Sequence, residues 1–296
     1  MMLLNVYSII PALCLVSYLL LLYLLLQGKR DKLLNIYIFN IISLAIWSLG
    51  AFAQRSSLPP SVLFWQRFYC YGLILCPFTL YHFLCIVSGL KHNSPINFLP
   101  YTLIPVFYYM NYQGHFVKTA YFNNTELVYE LGYGAVLFGI ISLSLLFVCL
   151  YMLTKKLVLR QLVWKHISMV YIGTIMMTIT CVLNFIPAIG RYPIDFIANT
   201  LNAFLIAYAI YRYKFLNITT KIKSGIIYIT LAVVLASATA IIANLLILSN
   251  DDLQKNIIIF IMIFLLMLPP LQRRYLSFIE RISLGRLAWV KDNFGN

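Results

Sequence analysis

Two arginines and two tryptophans lie close together in the first third of the chain. Arg55 and Arg67 flank a Pro59-Pro60 turn, with tryptophans on either side, and apolar or aromatic residues follow Arg67 at spacings of four, three, four and three. This spacing places those residues on one face of a helix. An arginine above an aromatic face suits an anionic amphiphile, such as a fatty acid or a peptide carboxylate. The alternative is an interfacial belt in which arginine extends to lipid head groups. The predicted ligand-binding residues here are Trp47, Arg55, Trp65, Arg67 and Tyr71.

A second polar set lies near residue 200, within apolar sequence. Asp195, Asn199 and Asn202 are spaced four and three apart and therefore share a helix face, and Asn184 precedes them. A polar stripe in an apolar helix usually faces the protein interior. There it contacts a ligand, or it forms hydrogen bonds between helices. We predict Asn184, Asn199 and Asn202 as ligand-binding residues, and the second interpretation stays open.

The residues that support catalysis or metal binding are scattered. The four histidines are far apart, the six cysteines form no CxxC pair, and the sequence has no HExxH, GxSxG, P-loop or dinucleotide motif. All six cysteines fall in apolar runs, where a thiol behaves as a small hydrophobe. We therefore expect no metal site, no cofactor and no enzymatic activity.

The composition is typical of a membrane protein. Of the 296 residues, 62% are hydrophobic and only 10% are charged, and the mean hydropathy is +0.88. A crossing helix needs about 20 mostly apolar residues. We predict an all-α, polytopic integral membrane bundle of about nine transmembrane helices, at 4–27, 34–54, 61–89, 97–113, 133–154, 167–188, 196–213, 225–248 and 256–271.

The basic residues predict the orientation of the chain. The net charge is +14, and an N-terminus outside the cell places 17 of the 22 lysines and arginines in cytoplasmic segments. Cytoplasmic loops of membrane proteins carry such an excess. We therefore expect a multi-pass protein of the inner (cytoplasmic) membrane, in contact with lipid and not with nucleic acid. Its C-terminus would be cytoplasmic, and its longest outer loop would be 114–132.

Three regions follow from this layout. Residues 1–218 form a seven-helix membrane region, 219–271 a further helix pair, and 272–296 a basic cytoplasmic tail. The tail repeats apolar residues in a 3-4 register from Leu271 to Trp289. It is either a short coiled-coil linker to a downstream domain or an amphipathic helix on the lipid surface.

Several short segments resemble a known family. They are AIWSLG (45–50), FWQRF (64–68), CPFTLYHF (76–83) and AYAIYRYKFLNI (207–218). Together they resemble the N-terminal seven-transmembrane sensor region of bacterial histidine kinases. The resemblance implies a receptor module of two-component signal transduction. In that family the region is usually fused to a dimerisation helix with a phospho-accepting histidine and to an ATP-binding domain.

The chain departs from that pattern because both soluble parts are missing from it. We expect either a stand-alone receptor that works through a partner or the sensor half of a split or truncated gene. The expected partners are a small or amphiphilic ligand on the outer side, a cytoplasmic kinase or other signalling protein, and a second copy in a homodimer. The alternative function is a membrane transporter or lipid-handling permease.

Overall fold

The computed structural model describes residues 6–27, 31–89, 95–123, 126–159, 164–183 and 194–212. The predicted spans at 225–248 and 256–271, the tail and Asn184 lie outside the described residues. The described elements are, in chain order, α1 (Val6–Leu26), α2 (Lys32–Arg55), α3 (Val62–Val87), α4 (Pro95–Phe98), a 3-10 helix (Leu99–Leu103), α5 (Ile104–Tyr112), β1 (Val117–Asn123), β2 (Glu126–Leu131), α6 (Tyr133–Val158), α7 (Trp164–Leu183) and α8 (Ile194–Arg212).

The protein is mostly helical, as predicted, and six of the predicted spans coincide with its long helices. Within the described ranges, α1, α2, α3 and α6 are long and apolar enough to cross a membrane. The apolar parts of α7 and α8 are shorter, at Ile167–Leu183 and Ile194–Ile210. Pro11 and Pro77 lie inside α1 and α3 without ending them.

The predicted fourth span at 97–113 is not one continuous helix. Its sequence is divided among α4, the 3-10 helix and α5. Pro95 opens α4, and Pro100 and Pro105 stand in the first turns of the next two pieces. Proline has no N–H and is best tolerated in the first turn of a helix. Each of the three prolines therefore begins a new piece.

Residues 114–132, the predicted longest outer loop, correct the all-α prediction, since they contain a β-hairpin. Strands β1 and β2 pair antiparallel from Val117↔Leu131 to Asn123↔Glu126, with an irregularity between Val117 and Thr119. Phe116, Val117 and Ala120 are buried against a cluster formed by Cys70, Ile74, Phe78, Phe107 and Phe138. The hairpin is thereby fixed to α3, α5 and α6.

An ion pair lies at the surface of the hairpin. Lys118 Nζ lies 2.6 Å from Glu130 Oε1, and the two side chains are 53% and 58% exposed. Exposed ion pairs contribute little because water and salt screen them. We expect Lys118→Ala to lower the free energy of unfolding by less than about 0.5 kcal/mol. Thermal melting at low and high salt would measure this, and a larger loss at both salt concentrations would contradict it.

Among the described helices, α2 and α3 share the most extensive contact. Both begin with a side-chain cap, in which Asp31 and Ser61 accept hydrogen bonds from the backbone N–H groups of Leu34 and Phe64. Gly50 and Gly72 allow the backbones to approach. A Cβ atom on Gly72 would lie 2.4 Å from the Trp47 backbone N and 2.5 Å from the Ser43 O. Small residues serve this purpose in membrane helix packing.

Helix α8 packs against α1 and α2, the first two helices of the chain, and against α7. Towards α1, its Thr200 Oγ1 donates to the Tyr18 hydroxyl at 2.8 Å, and the Tyr37 hydroxyl of α2 donates to the Ala203 carbonyl. Towards α7, a Cβ atom on Gly173 would lie 2.3 Å from Asn202 Oδ1. Helix α8 therefore connects α1 and α2 to α7.

Candidate ligand-binding site

Trp65 stabilises the turn between α2 and α3. Its indole Nε1 donates to the carbonyl oxygens of Leu58 and Pro59, at 3.0 and 3.1 Å. Its ring contacts the rings of Phe64 and Phe68 edge-on. The polar group of this predicted site residue is therefore already engaged, which leaves the ring as its contact surface.

Arg67 points to the corner between α5 and the hairpin. The Asn111 side chain donates to the Arg67 carbonyl at 2.8 Å. The guanidinium lies against Gly114, where an added Cβ atom would be 2.7 Å from Nη2. Gly114 also has a φ of +80°, a backbone conformation that favours glycine. The glycine thus leaves room for the arginine.

The face of α3 that follows Arg67 is occupied by the chain's own side chains. The Tyr71 ring contacts the Tyr108 ring edge-on at 4.9 Å, and the Tyr108 hydroxyl donates to the Tyr71 carbonyl. Ile74 and Phe78 belong to the buried cluster under the hairpin. The predicted helix face exists, and α5, α6 and the hairpin cover it.

Trp47 faces α8, on another side of the same helix pair. Its side chain is 5% exposed, and its ring lies 4.9 Å from the Phe196 ring and 6.5 Å from the Tyr69 ring. Within the described ranges, Trp47 Nε1 is buried and has no hydrogen-bond partner. Trp47 therefore joins α2, α3 and α8 through aromatic contacts and leaves its N–H unused.

Two opposite charges act on Tyr129, a tyrosine of the hairpin. Partial burial raises the pKa of the Tyr129 hydroxyl; the carboxylate of Asp195 raises it further, and the guanidinium of Arg55 lowers it. The same two charges act on the Tyr69 hydroxyl. Charges at the end of α2 and at the start of α8 therefore act on strand β2 and on α3. We call these four residues the outer charge cluster (Arg55, Tyr69, Tyr129 and Asp195), after the side of the membrane that the sequence predicts for them.

The titration of Tyr129 tests this arrangement. Arg55→Gln removes a positive charge that favours tyrosinate, so we expect the pKa of Tyr129 to rise. Asp195→Asn removes a negative charge, so we expect the pKa to fall. Fluorotyrosine at position 129, followed by 19F NMR across pH, measures both shifts. Unchanged titration in both variants would contradict the cluster, and Lys118→Ala serves as the control charge change on the hairpin.

The two described asparagines of the polar stripe have different surroundings. Asn199 Nδ2 donates to the Asp195 carbonyl of its own helix at 2.8 Å, and its Oδ1 is buried without a partner among the described residues. Asn202 Nδ2 lies 3.6 Å from Met177 Sδ and packs against Gly173 of α7. Asn202 therefore faces a neighbouring helix, as the interhelical interpretation expects.

The sequence pointed to Trp47, Arg55 and Asn199 but missed Tyr69, Tyr129 and Phe196. Tyr69 does not fall on the spacing of four, three, four and three residues after Arg67. Phe196 does not stand out from the many apolar residues around it. The segment 126-ELVYEL-131 alternates in a way typical of a strand, and this pattern was the available signal for Tyr129. Among the described residues, no group of three histidine, cysteine or acidic side chains is placed to hold a metal ion.

Comparison with protein families matches residues 9–219 to the family described as "N-terminal 7TM region of histidine kinase". The matched range is more than half of the chain and includes all but the first few described residues. No curated protein matches the chain.

Proposed function

Because the chain belongs to the family of N-terminal seven-transmembrane regions of histidine kinases, we propose that it senses a small or amphiphilic ligand at the outer helix ends and signals to a cytoplasmic kinase. The family match over residues 9–219 is the observation that carries this proposal. According to this proposal, the protein is the sensor module of a two-component system in the inner membrane, without kinase activity of its own.

The proposed ligand site lies where α2, α3, α8 and the hairpin converge. Arg55 is the anchor for an anionic group because it belongs to the outer charge cluster. Trp47 and Tyr69 supply aromatic contact area beside it. Arg67, Trp65 and Tyr71, the other predicted residues, lie towards α5 and the turn, where Tyr108 and the hairpin cover the face of α3. Asn199 and Asn202 line α8 further from its start.

Signal transmission passes through the contacts of α8. The Trp47–Phe196 ring contact couples α8 to α2 and α3, and the Gly173–Asn202 contact couples it to α7. A ligand shifts such an assembly only by the difference in its affinity for two states. Binding at the outer end would therefore favour one packing of α3, α7 and α8, and the change would reach the cytoplasmic ends of these helices.

Cross-linking in membranes tests the signalling role. The tagged full chain is cross-linked in its native cells and purified, and the recovered proteins are identified by mass spectrometry. We expect a histidine kinase, together with a second copy of this chain. Phosphorylation of the response regulators is then compared in cells with and without the chain. Recovery of no kinase, with unchanged phosphorylation, would contradict the proposal.

A further inference from the structure

Two unpaired polar groups lie on facing helices beside the Trp47–Phe196 contact. Trp47 Nε1 of α2 is a hydrogen-bond donor, and Asn199 Oδ1 of α8 is an acceptor. Their residues are 5% and 4% exposed, and neither atom has a partner among the described residues. Asn199 follows Phe196 by three residues, so it stands within one helical turn of the ring that Trp47 touches.

Such groups are costly in a membrane protein. A buried donor or acceptor without a partner costs up to several kcal/mol, since hydrocarbon offers no hydrogen bond in exchange. Other buried polar groups at α8 are paired with α1 and α2, as in the Thr200–Tyr18 and Tyr37–Ala203 pairs. Asn202 Oδ1 is also unpaired among the described residues, but it lies against Gly173 of α7, whereas Trp47 Nε1 and Asn199 Oδ1 lie beside the contact between α2 and α8.

The charges near this point favour an uncharged ligand. Arg55 lies eight residues beyond Trp47, about 12 Å along the axis of α2. Asp195 lies only four residues before Asn199, and its carbonyl oxygen accepts a hydrogen bond from Asn199 Nδ2. An anion beside Asn199 would be repelled by the Asp195 carboxylate. The aromatic rings of Trp47 and Phe196 suit an apolar body next to the polar group.

We propose that Trp47 Nε1 and Asn199 Oδ1 recognise a neutral hydroxyl or carboxamide group on an apolar ligand. Such a group accepts a hydrogen bond from the indole and donates one to the amide oxygen. The assignment rests on the proposed sensor function and deepens it by giving the chemical class of the ligand at this part of the site. Arg55 remains available for a separate charged group nearer the outer surface.

The test uses the full chain in lipid nanodiscs, labelled with 5-fluorotryptophan and observed by 19F NMR. The four tryptophan resonances are assigned by single Trp→Phe substitutions. The probes are 1-decanol, decanamide and decanoate, which share one chain length and differ in the head group. We expect the first two to shift the Trp47 resonance in a saturable way. We expect decanoate to need about tenfold higher concentration for the same shift of the Trp47 resonance. The resonance of the exposed Trp164 should show no saturable shift with any of the three.

Asn199→Leu removes the acceptor, together with the hydrogen bond that Asn199 Nδ2 donates within α8. We expect it to weaken decanol binding about tenfold, the effect of losing one hydrogen bond and leaving its partner unpaired. Where this variant gives too little folded protein, Asn199→Ser, which shortens the side chain, should weaken binding about fivefold. Three results would overturn the proposal: a Trp47 response that only parallels Trp164, decanoate binding as tightly as decanol, or full-strength binding in both Asn199 variants.

These outcomes are separable from failure of the sensor role. If decanol does not bind but the kinase is still cross-linked and the phosphorylation difference persists, only the proposed ligand class is wrong. Absence of the kinase with intact decanol binding would instead retain the site and remove its signalling output.

Discussion

We expect Gly72→Ala to destabilise the bundle. Among the described glycines of α2 and α3, Gly72 should be the least tolerant of an added methyl group. The new Cβ atom would lie 2.4 Å from the Trp47 backbone N and 2.5 Å from the Ser43 carbonyl oxygen. Both are backbone atoms, so no side-chain rotation relieves the overlap, and the two helices must separate. Overpacking of this kind costs about 3 kcal/mol. Thermal melting of the purified protein in nanodiscs measures the loss.

The control for this experiment enlarges a side chain at an exposed position of α2. Leu49 is 39% exposed on the same helix, so Leu49→Phe adds volume where the described residues leave room. We expect its melting temperature to stay close to the parent value. Separation of α2 from α3 also displaces Trp47, so the Trp47 19F resonance should shift in Gly72→Ala. A variant as stable as the parent, with an unshifted resonance, would contradict the close crossing.

Asn40→Leu is expected to give the second large loss, because Asn40 connects α2 to the proline-containing part of α3. Its Nδ2 donates to the Cys76 carbonyl at 3.2 Å and to Thr79 Oγ1 at 3.0 Å, directly beside Pro77, which contributes no N–H to the helix. All of these groups are buried. Loss of the two hydrogen bonds should cost about 2 kcal/mol.

A double-mutant cycle identifies the source of that loss. Thr79→Val removes one of the two acceptors while keeping the shape of the side chain. If the Asn40–Thr79 bond matters, the double variant should lose about 1 kcal/mol less than the sum of the single variants. Strict additivity would show that Asn40 acts through another contact. Ser144→Ala is the control, since it removes an exposed hydroxyl whose partner among the described residues is the Ile140 carbonyl of its own helix.

The long helices could be predicted from the sequence because apolar length alone specifies them. The predicted bounds 34–54 and 61–89 agree with α2 and α3 within a few residues, since polar caps and prolines mark those ends. The region 95–131 was predicted less well. Its apolar residues are numerous enough for a span, but Pro100 and Pro105 restart the helix, and a hairpin packs over the cluster around Phe78.

Only the most unusual residues of the candidate site could be predicted from the sequence. Arg55, Trp47 and Asn199 stand out in apolar sequence, whereas their neighbours Tyr69, Tyr129 and Phe196 come from three other elements. Periodicity along one helix gives the face of that helix but not the partner that covers it. The spacing after Arg67 therefore gave a correct face of α3, which the hairpin and its neighbours fill.

The proposed ligand site requires the hairpin to lie outside the cell and the end of α6 to lie inside. Tyr121 of β1 and Leu159 after α6 are 54% and 55% exposed, and five of the six native cysteines are buried, with Cys181 partly so. The deciding measurement is labelling of Tyr121→Cys and Leu159→Cys in intact cells with a membrane-impermeant maleimide, against the parent as background. The account predicts that Tyr121→Cys is labelled at once and Leu159→Cys only after permeabilisation. Labelling of Leu159→Cys alone in intact cells would place the proposed ligand site in the cytoplasm and contradict the account.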